Sequence, residues 1–101
     1  MEFGGPPRVR ARIEVFGKVQ GVFYRDTLRR AAITHGVAGW AINREDSSVE
    51  AVLEGEREAV AAVVEVARHG PPAAQVRQLD ITWEDPEGES GFAIGGPGMP
   101  R

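Results

Sequence analysis

The run from Gly17 to Arg25, GKVQGVFYR, combines the features that a phosphate-binding turn requires. Backbone N–H groups in such a turn can converge on an anion, and a helix that begins here adds positive potential from its N-terminus. Gly17 and Gly21 allow close backbone approach, and the planar guanidinium of Arg25 matches two phosphate oxygens. The spacing is not that of a Walker A loop. On geometry alone, a plain glycine-rich turn with a solvated arginine explains the run equally well.

The neighbouring elements place this run between a strand and a helix. Apolar and polar residues alternate over residues 9–15, which predicts a strand with one buried face. Apolar residues then recur at helical spacing over residues 24–35, and Gly36 is placed to end that helix. We therefore predict a loop over residues 17–21, with Arg25 in the first helical turn.

The rest of the chain continues the same alternation of elements. The patterns predict strands over residues 37–43, 49–54 and 79–84, a second helix capped by Gly55 and ended after His69, and a short last strand over 92–94. The order strand, helix, strand, strand, helix, strand is the split βαβ, ferredoxin-like arrangement of the α+β class. Right-handed crossovers would put both helices on one face of an antiparallel sheet. We expect one domain over residues 8–95, between flexible Gly- and Pro-rich tails at 1–7 and 96–101.

Composition excludes several classes of function for this 101-residue chain. Without cysteine it has no disulfide, thiolate nucleophile or Cys-based zinc site. The histidines, His35 and His69, fall at predicted helix ends, where the helix dipole explains them better than a metal or a Ser–His–acid triad. Glu45 and Asp46 are best explained as a solvated turn. The net charge of −3 disfavours a broad nucleic-acid surface. We find neither an apolar run long enough to span a bilayer nor a secretory signal.

The run at residues 17–25 resembles the acylphosphatase signature, G-[KR]-V-Q-G-V-x-[FY]-R. Residues 36–43, GVAGWAIN, are similar to that family's glycine–leucine–x–glycine–tryptophan–valine–arginine–asparagine segment. Two further blocks, SVEAVLEG at 48–55 and GPPAAQV at 70–76, are similar to segments that follow in the family. The resemblance extends over roughly residues 9–94, which is nearly the whole predicted domain.

The resemblance implies a ferredoxin-like enzyme that hydrolyses acyl phosphates to a carboxylate and phosphate without a metal or cofactor. It implies that Arg25 binds the phosphate and that Asn43 orients the attacking water. The loop residues that join Arg25 in holding the phosphate are then Gly17, Lys18, Val19, Gln20, Gly21 and Val22. Asn43 is the only asparagine in the chain, and without the resemblance a turn-starting role explains it better. The expected partner is a small acyl phosphate, with no nucleic acid or membrane, for a cytoplasmic monomer.

Three departures from the family pattern carry structural expectations. Tyr24 stands where phenylalanine is commoner, and its hydroxyl requires a partner. Ala41 and Ile42 replace valine and arginine, which removes a cation beside Asn43. Ser47 replaces a common turn glycine, and it is strained if its φ is positive.

Three other functions remain open at this stage. A catalytically idle anion-binding module of the same fold would keep Arg25 without needing Asn43. An RNA-binding ferredoxin-like domain would place stacking aromatic residues on its central strands. We expect Trp40 and Trp83 instead to pack in the core or line the sheet. The chain would also suit one domain of a larger carbamoyl-transferring enzyme, although its short tails favour a stand-alone protein.

Overall fold

A computed structural model of the protein describes residues 7–95, which form a five-stranded sheet with two helices packed on one face. The elements are β1 (Arg8–Lys18), α1 (Tyr24–His35), β2 (Ala38–Asn43), β3 (Val49–Glu56), α2 (Arg57–His69), β4 (Gln75–Glu84) and β5 (Phe92–Gly95). The strands lie in the order β4-β1-β3-β2-β5, and the first four are antiparallel neighbours. The predicted ferredoxin-like α+β fold is confirmed. Of the predicted tails at 1–7 and 96–101, residues 1–6 and 96–101 lie outside the described residues, and Pro7 directly precedes β1.

The alternation along β1 separates the two faces of the sheet. Ala11, Ile13 and Val15 are fully buried and face the helices. They join buried residues of both helices in one core, including Leu28, Ala32, Val60, Val63 and Ala67. The intervening β1 residues lie on the opposite face, which we call the open face because neither helix of residues 7–95 covers it.

A hydrogen bond joins the two helices, and it supplies the partner that the Tyr24 hydroxyl requires. The buried hydroxyl of Tyr24 donates to the carbonyl oxygen of Ala67 at 2.6 Å. Burial raises the pKa of this phenol, so it remains a donor. Gly36 ends α1 in the left-handed conformation, as predicted. His35, placed on the apolar stripe by its spacing, is exposed in the last turn.

A fifth strand makes the sheet mixed. β5 pairs parallel with β2, in a register that sets Ala41 opposite Ile94 and Ile42 opposite Gly95. Gly39 belongs to β2 because its backbone lies against β3, where a Cβ would be 1.8 Å from the carbonyl oxygen of Val52. The glycine that weakens the strand pattern is therefore required by the close contact between strands.

Several predicted boundaries were wrong by a few residues. Gly55 does not cap α2, because it is buried in β3 opposite Val9, and Glu56 stands at the N-cap. β4 begins at Gln75 rather than at residue 79, since pairing with the end of β1 recruits four more residues. In the turn before β3, Ser47 has a φ of 76°, so the strain expected for a positive φ is present there.

Charged residues and the segment between β4 and β5 cover the open face. Arg10 and Glu54 are fully buried there, and Nη1 of Arg10 lies 2.8 Å from Oε2 of Glu54. Trp40 is buried on the same face, with the Arg12 guanidinium 5.7 Å from its ring. Trp83, in contrast, is 52% exposed on β4, so of the two expected positions it lines the sheet and does not pack in the core.

No helix within residues 7–95 is long and apolar enough to cross a membrane. In the same part of the chain, no three His, Cys, Asp or Glu side chains cluster in a way that would hold a metal ion.

Candidate active site

The loop between β1 and α1 is pinned to the core by two valines. Val19 and Val22 are buried on either side of the exposed Gly21. The loop runs over residues 19–23, because β1 continues through Lys18. The predicted start at Gly17 was therefore two residues early.

Gly17 belongs to a bulge in the pairing of β1 with β4. Its φ is 130°, and a Cβ there would be 2.1 Å from the carbonyl oxygen of Gln75. Because only glycine fits this contact, Gly17 sets the path of the chain into the loop. Lys18 is exposed and pairs with Gln75 at the end of the strand. These two residues of the predicted phosphate loop are thus strand residues.

Three consecutive peptide N–H groups in the loop are available to a ligand. Within residues 7–95, the N–H groups of Gln20, Gly21 and Val22 donate to no carbonyl oxygen and no side chain. The N-terminus of the 12-residue helix α1 follows directly. Unpaired N–H groups beside a helix N-terminus form a site suited to an anion.

Arg25 adds a full positive charge to this position. It lies in the first turn of α1, is partly buried, and donates from Nη1 to the carbonyl oxygen of Gly95 at the end of β5. Among the described residues, no carboxylate lies within ion-pair distance of its guanidinium. The residues that line a cleft of about 330 Å³ with Arg25 are Val19, Gly21, Phe23, Tyr24, Asp26 and Ile94. The Asp26 carboxylate is paired with Arg30 at 3.0 Å. The charge of Arg25 is therefore held in place without being neutralised.

Asn43 is the last residue of β2 and lies beside the same region. Its neighbour Ile42 pairs with Gly95, whose carbonyl oxygen accepts from Arg25. The Oδ1 atom of Asn43 is buried and has no hydrogen-bond partner in residues 7–95. Asn43 is not among the residues that line the cleft of Arg25.

The alternative role of Asn43 in starting the following turn is not supported. The turn closes by the N–H of Arg44 donating to the carbonyl oxygen of Ser48 at 2.9 Å. Its side-chain bonds come from Asp46, whose Oδ1 accepts from the Ser48 N–H at 3.0 Å. A buried carbonyl oxygen without a partner in residues 7–95 is therefore a candidate for binding a ligand.

Gln20 has a second role that sequence reasoning missed. Its Nε2 donates to the carbonyl oxygens of Arg44 at 2.9 Å and Ser48 at 2.8 Å. The side chain thereby ties the loop to the turn that follows Asn43, and its backbone N–H stays free. The acceptors are ordinary backbone carbonyls of a distant turn, so no residue type in the sequence identifies them.

The fold and the loop together define a ferredoxin-like domain with a candidate anion site at the N-terminus of its first helix. The Acylphosphatase family model matches residues 11–94. The chain is 51% identical to the acylphosphatase of Pyrobaculum islandicum over 82 residues, which is 80% of this chain and 86% of that protein. It is 46% identical to the acylphosphatase of Thermococcus kodakarensis over 89 residues, 88% of this chain and 98% of that protein.

A solved structure agrees with these sequence comparisons. The crystal structure of acylphosphatase from Bacillus subtilis superposes with a TM-score of 0.83 at 36% identity, covering 85% of this chain and 97% of that one. The chain therefore belongs to the acylphosphatase family, hydrolases that split the carboxyl–phosphate bond of acyl phosphates. The predicted family, fold and enzyme class are confirmed, which removes the idle binding module and the RNA-binding domain.

Proposed function

We propose that Arg25 and the N–H groups of Gln20, Gly21 and Val22 hold the phosphoryl group of an acyl phosphate, and that Asn43 positions the attacking water. The observation that carries this proposal is the set of unpaired donors: three N–H groups and a guanidinium without a carboxylate partner lie at one helix N-terminus. A phosphate dianion is the group whose oxygens these donors match.

The reaction makes modest demands on the protein. The leaving group is a carboxylate, so it departs without an acid to protonate it. The remaining tasks are to orient the phosphoryl group and to stabilise the charge that develops on its oxygens. Arg25 and the loop N–H groups, already fixed by β1, α1 and β5, serve both tasks without rearrangement.

Asn43 suits the second reactant, the water. Its buried Oδ1 can accept a hydrogen bond from a water molecule, and its Nδ2 can donate one to a phosphoryl oxygen. Neither histidine supports a general-base role, because neither lines the cleft of Arg25. His35 is exposed at the end of α1, and His69 is exposed at the end of α2, with its Nδ1 3.0 Å from the carbonyl oxygen of Glu65. We infer that the water gives its proton to a phosphoryl oxygen of the substrate as it attacks phosphorus.

The test is an Arg25→Ala substitution assayed with benzoyl phosphate and with inorganic phosphate as a competitive inhibitor. We expect kcat/KM to fall by at least about 1,000-fold, the usual range for an arginine that stabilises a transferring phosphoryl group. Inhibition by phosphate should weaken in parallel. Arg29→Ala, an exposed arginine of the same helix, is the matched control and should behave as wild type. Hydrolysis by Arg25→Ala at the wild-type rate would disprove the role.

We further propose that residues 8–95 act as a monomeric domain in the cytoplasm and need no metal ion. A single enclosed core shared by both helices and the sheet supports the monomer. The cysteine-free sequence suits a reducing compartment. Light scattering measures the mass in solution, and activity that survives a chelator would support metal independence.

A further inference from the structure

Phe23 occupies a position that the fold alone does not justify. It is the N-cap of α1, with φ 63° and ψ 26°, and its side chain makes no capping hydrogen bond. The left-handed region disfavours large side chains and suits glycine or asparagine. The ring is also 81% exposed, so it adds little to the core. A large residue that is both in the left-handed region and exposed indicates a function other than packing in the core.

The ring lies on the wall of the cleft that contains Arg25. The same cleft is lined by Val19 and by Ile94 of β5. Phe23 and Ile94, which come from different elements, form what we call the apolar wall of the cleft. The charged lining residues of the cleft are Arg25 and Asp26, and the Asp26 carboxylate pairs with Arg30 at 3.0 Å. Ile94 is held by pairing with Ala41, and Phe23 is held between the buried Val22 and Tyr24. Both members of the wall are therefore fixed relative to Arg25.

We propose that Phe23 and Ile94 receive the acyl group of the substrate and favour aromatic or bulky apolar acyl phosphates over acetyl and carbamoyl phosphate. This inference rests on the proposed function of Arg25 and the loop. An acyl group is joined to phosphorus through a single bridging oxygen, so a phosphoryl group at Arg25 leaves the acyl carbon in the same cleft. Contact of an apolar acyl group with the exposed ring removes apolar surface of both from water.

The quantity that tests this proposal is the ratio of kcat/KM for benzoyl phosphate to kcat/KM for acetyl phosphate. We expect Phe23→Gly to lower kcat/KM for benzoyl phosphate about tenfold, as for other lost apolar contacts in substrate pockets. Acetyl phosphate is too small to use the wall, so its kcat/KM should stay near wild type. Inhibition by inorganic phosphate should also be unchanged, because the phosphate site keeps its donors.

Two further variants separate recognition from effects on the backbone. Phe23→Asn also removes the ring but keeps a residue that tolerates the left-handed region, so it should change the ratio as Phe23→Gly does. Ile33→Ala is the matched control, since Ile33 is another exposed apolar residue of the same helix at 61% exposure, outside the cleft. Ile33→Ala should change kcat/KM for neither benzoyl phosphate nor acetyl phosphate.

The outcomes distinguish this inference from the proposed function. An unchanged ratio of benzoyl to acetyl phosphate hydrolysis in both Phe23 variants, with activity still dependent on Arg25, would overturn the acyl-group wall alone. An equal loss with both substrates would overturn it too, because it would make Phe23 a support for the loop. Activity independent of Arg25 would instead overturn the proposed function.

Discussion

Two buried polar groups, Glu54 on the open face and Asn43 at the end of β2, have opposite surroundings. The Glu54 carboxylate accepts from Arg10 at 2.8 Å and from the N–H groups of Glu87 at 2.6 Å, Gly88 at 3.1 Å and Glu89 at 2.9 Å. The Oδ1 atom of Asn43 accepts from nothing in residues 7–95. A buried polar group without a partner is unfavourable, so one that persists is a candidate for ligand binding.

The arginines of the two regions differ in the same way. Arg10 is surrounded by the carboxylates of Glu54, Glu84 and Glu89, all within 3.0 Å. Arg25 meets only the carbonyl oxygen of Gly95 among the described residues. A guanidinium neutralised by carboxylates has no net attraction left for a phosphate, whereas one held by a neutral carbonyl keeps it. The charges of the open face thus hold the segment between β4 and β5, whereas the charge of Arg25 is not neutralised by any carboxylate of residues 7–95 and remains available to the proposed substrate.

The largest effect expected from this contrast is on stability. Glu54→Gln removes the buried charge that accepts from Arg10 and from three backbone N–H groups. Because Arg10 keeps Glu84 and Glu89, we expect a loss at the lower end of the about 3–5 kcal/mol typical of breaking a buried charge pair. Urea denaturation measures the loss, while kcat/KM of the folded variant should match wild type. Glu65→Gln, at a side chain 66% exposed and 3.5 Å from Arg68, is the control and should change stability by less than about 1 kcal/mol. If both variants lose equally little, Glu54 does not hold the open face.

The converse effect is expected at Asn43. Asn43→Ala should reduce kcat by about 100- to 1,000-fold, the usual loss of about 3–4 kcal/mol for one oriented polar group at a reacting centre. The free energy of unfolding should not fall, because the Oδ1 atom has no hydrogen bond to lose within residues 7–95. Stopped assays with benzoyl phosphate and urea denaturation measure the two quantities.

The control for Asn43 is an exposed amide. Gln78→Ala removes a side chain that bonds only Asp80 on the surface of β4, and both quantities should stay at wild type. A stable Asn43→Ala protein with the wild-type kcat would exclude the water-positioning role. A destabilised one with the wild-type kcat would make Asn43 a structural residue like Glu54.

The sequence predicted the fold well because its patterns are local. The alternation in β1 and the apolar spacing in α1 report directly which side faces the core, and Gly36 marks where α1 ends. Pairing between distant strands is not local. The four extra residues of β4 and the burial of Gly55 depend on β1, so no pattern at either position indicates them.

The site was predicted by residue type but not by contact. Arg25 and the loop N–H groups were predicted from the resemblance to a family motif, since the spacing of the glycines and the arginine alone fits a plain turn equally well. The supports of the site were missed, because Gln20 and Arg25 both donate to backbone carbonyls, which any residue supplies. Phe23 was also missed, since neither its exposure nor its left-handed φ is readable from the sequence.

The smallest expected effect is the acid response of the open face. Burial alone would raise the pKa of Glu54, but hydrogen bonds from Glu87, Arg10 and their neighbours lower it from 4.5 to about 2. Because the folded-state pKa lies below the unfolded one, Glu54 stabilises the fold fully above 4.5 and loses this contribution as pH falls towards about 2. Urea denaturation at a series of pH values across this range measures the slope.

Other carboxylates also contribute to the pH dependence of wild-type stability, and the variants separate their contributions from that of Glu54. The hydrogen bond from Arg12 lowers the pKa of Glu84, and the Ser48 hydroxyl lowers that of Asp46, so both add to the loss in acid. The free energy of unfolding of Glu54→Gln should therefore fall less steeply in acid than that of wild type, but it should still fall. The free energy of unfolding of Arg25→Ala should change with pH as steeply as that of wild type, since no carboxylate of residues 7–95 pairs with Arg25. Equal slopes for Glu54→Gln and wild type would mean that Glu54 is no better stabilised in the folded chain than in the unfolded one, and the contrast with Asn43 would fail on that side.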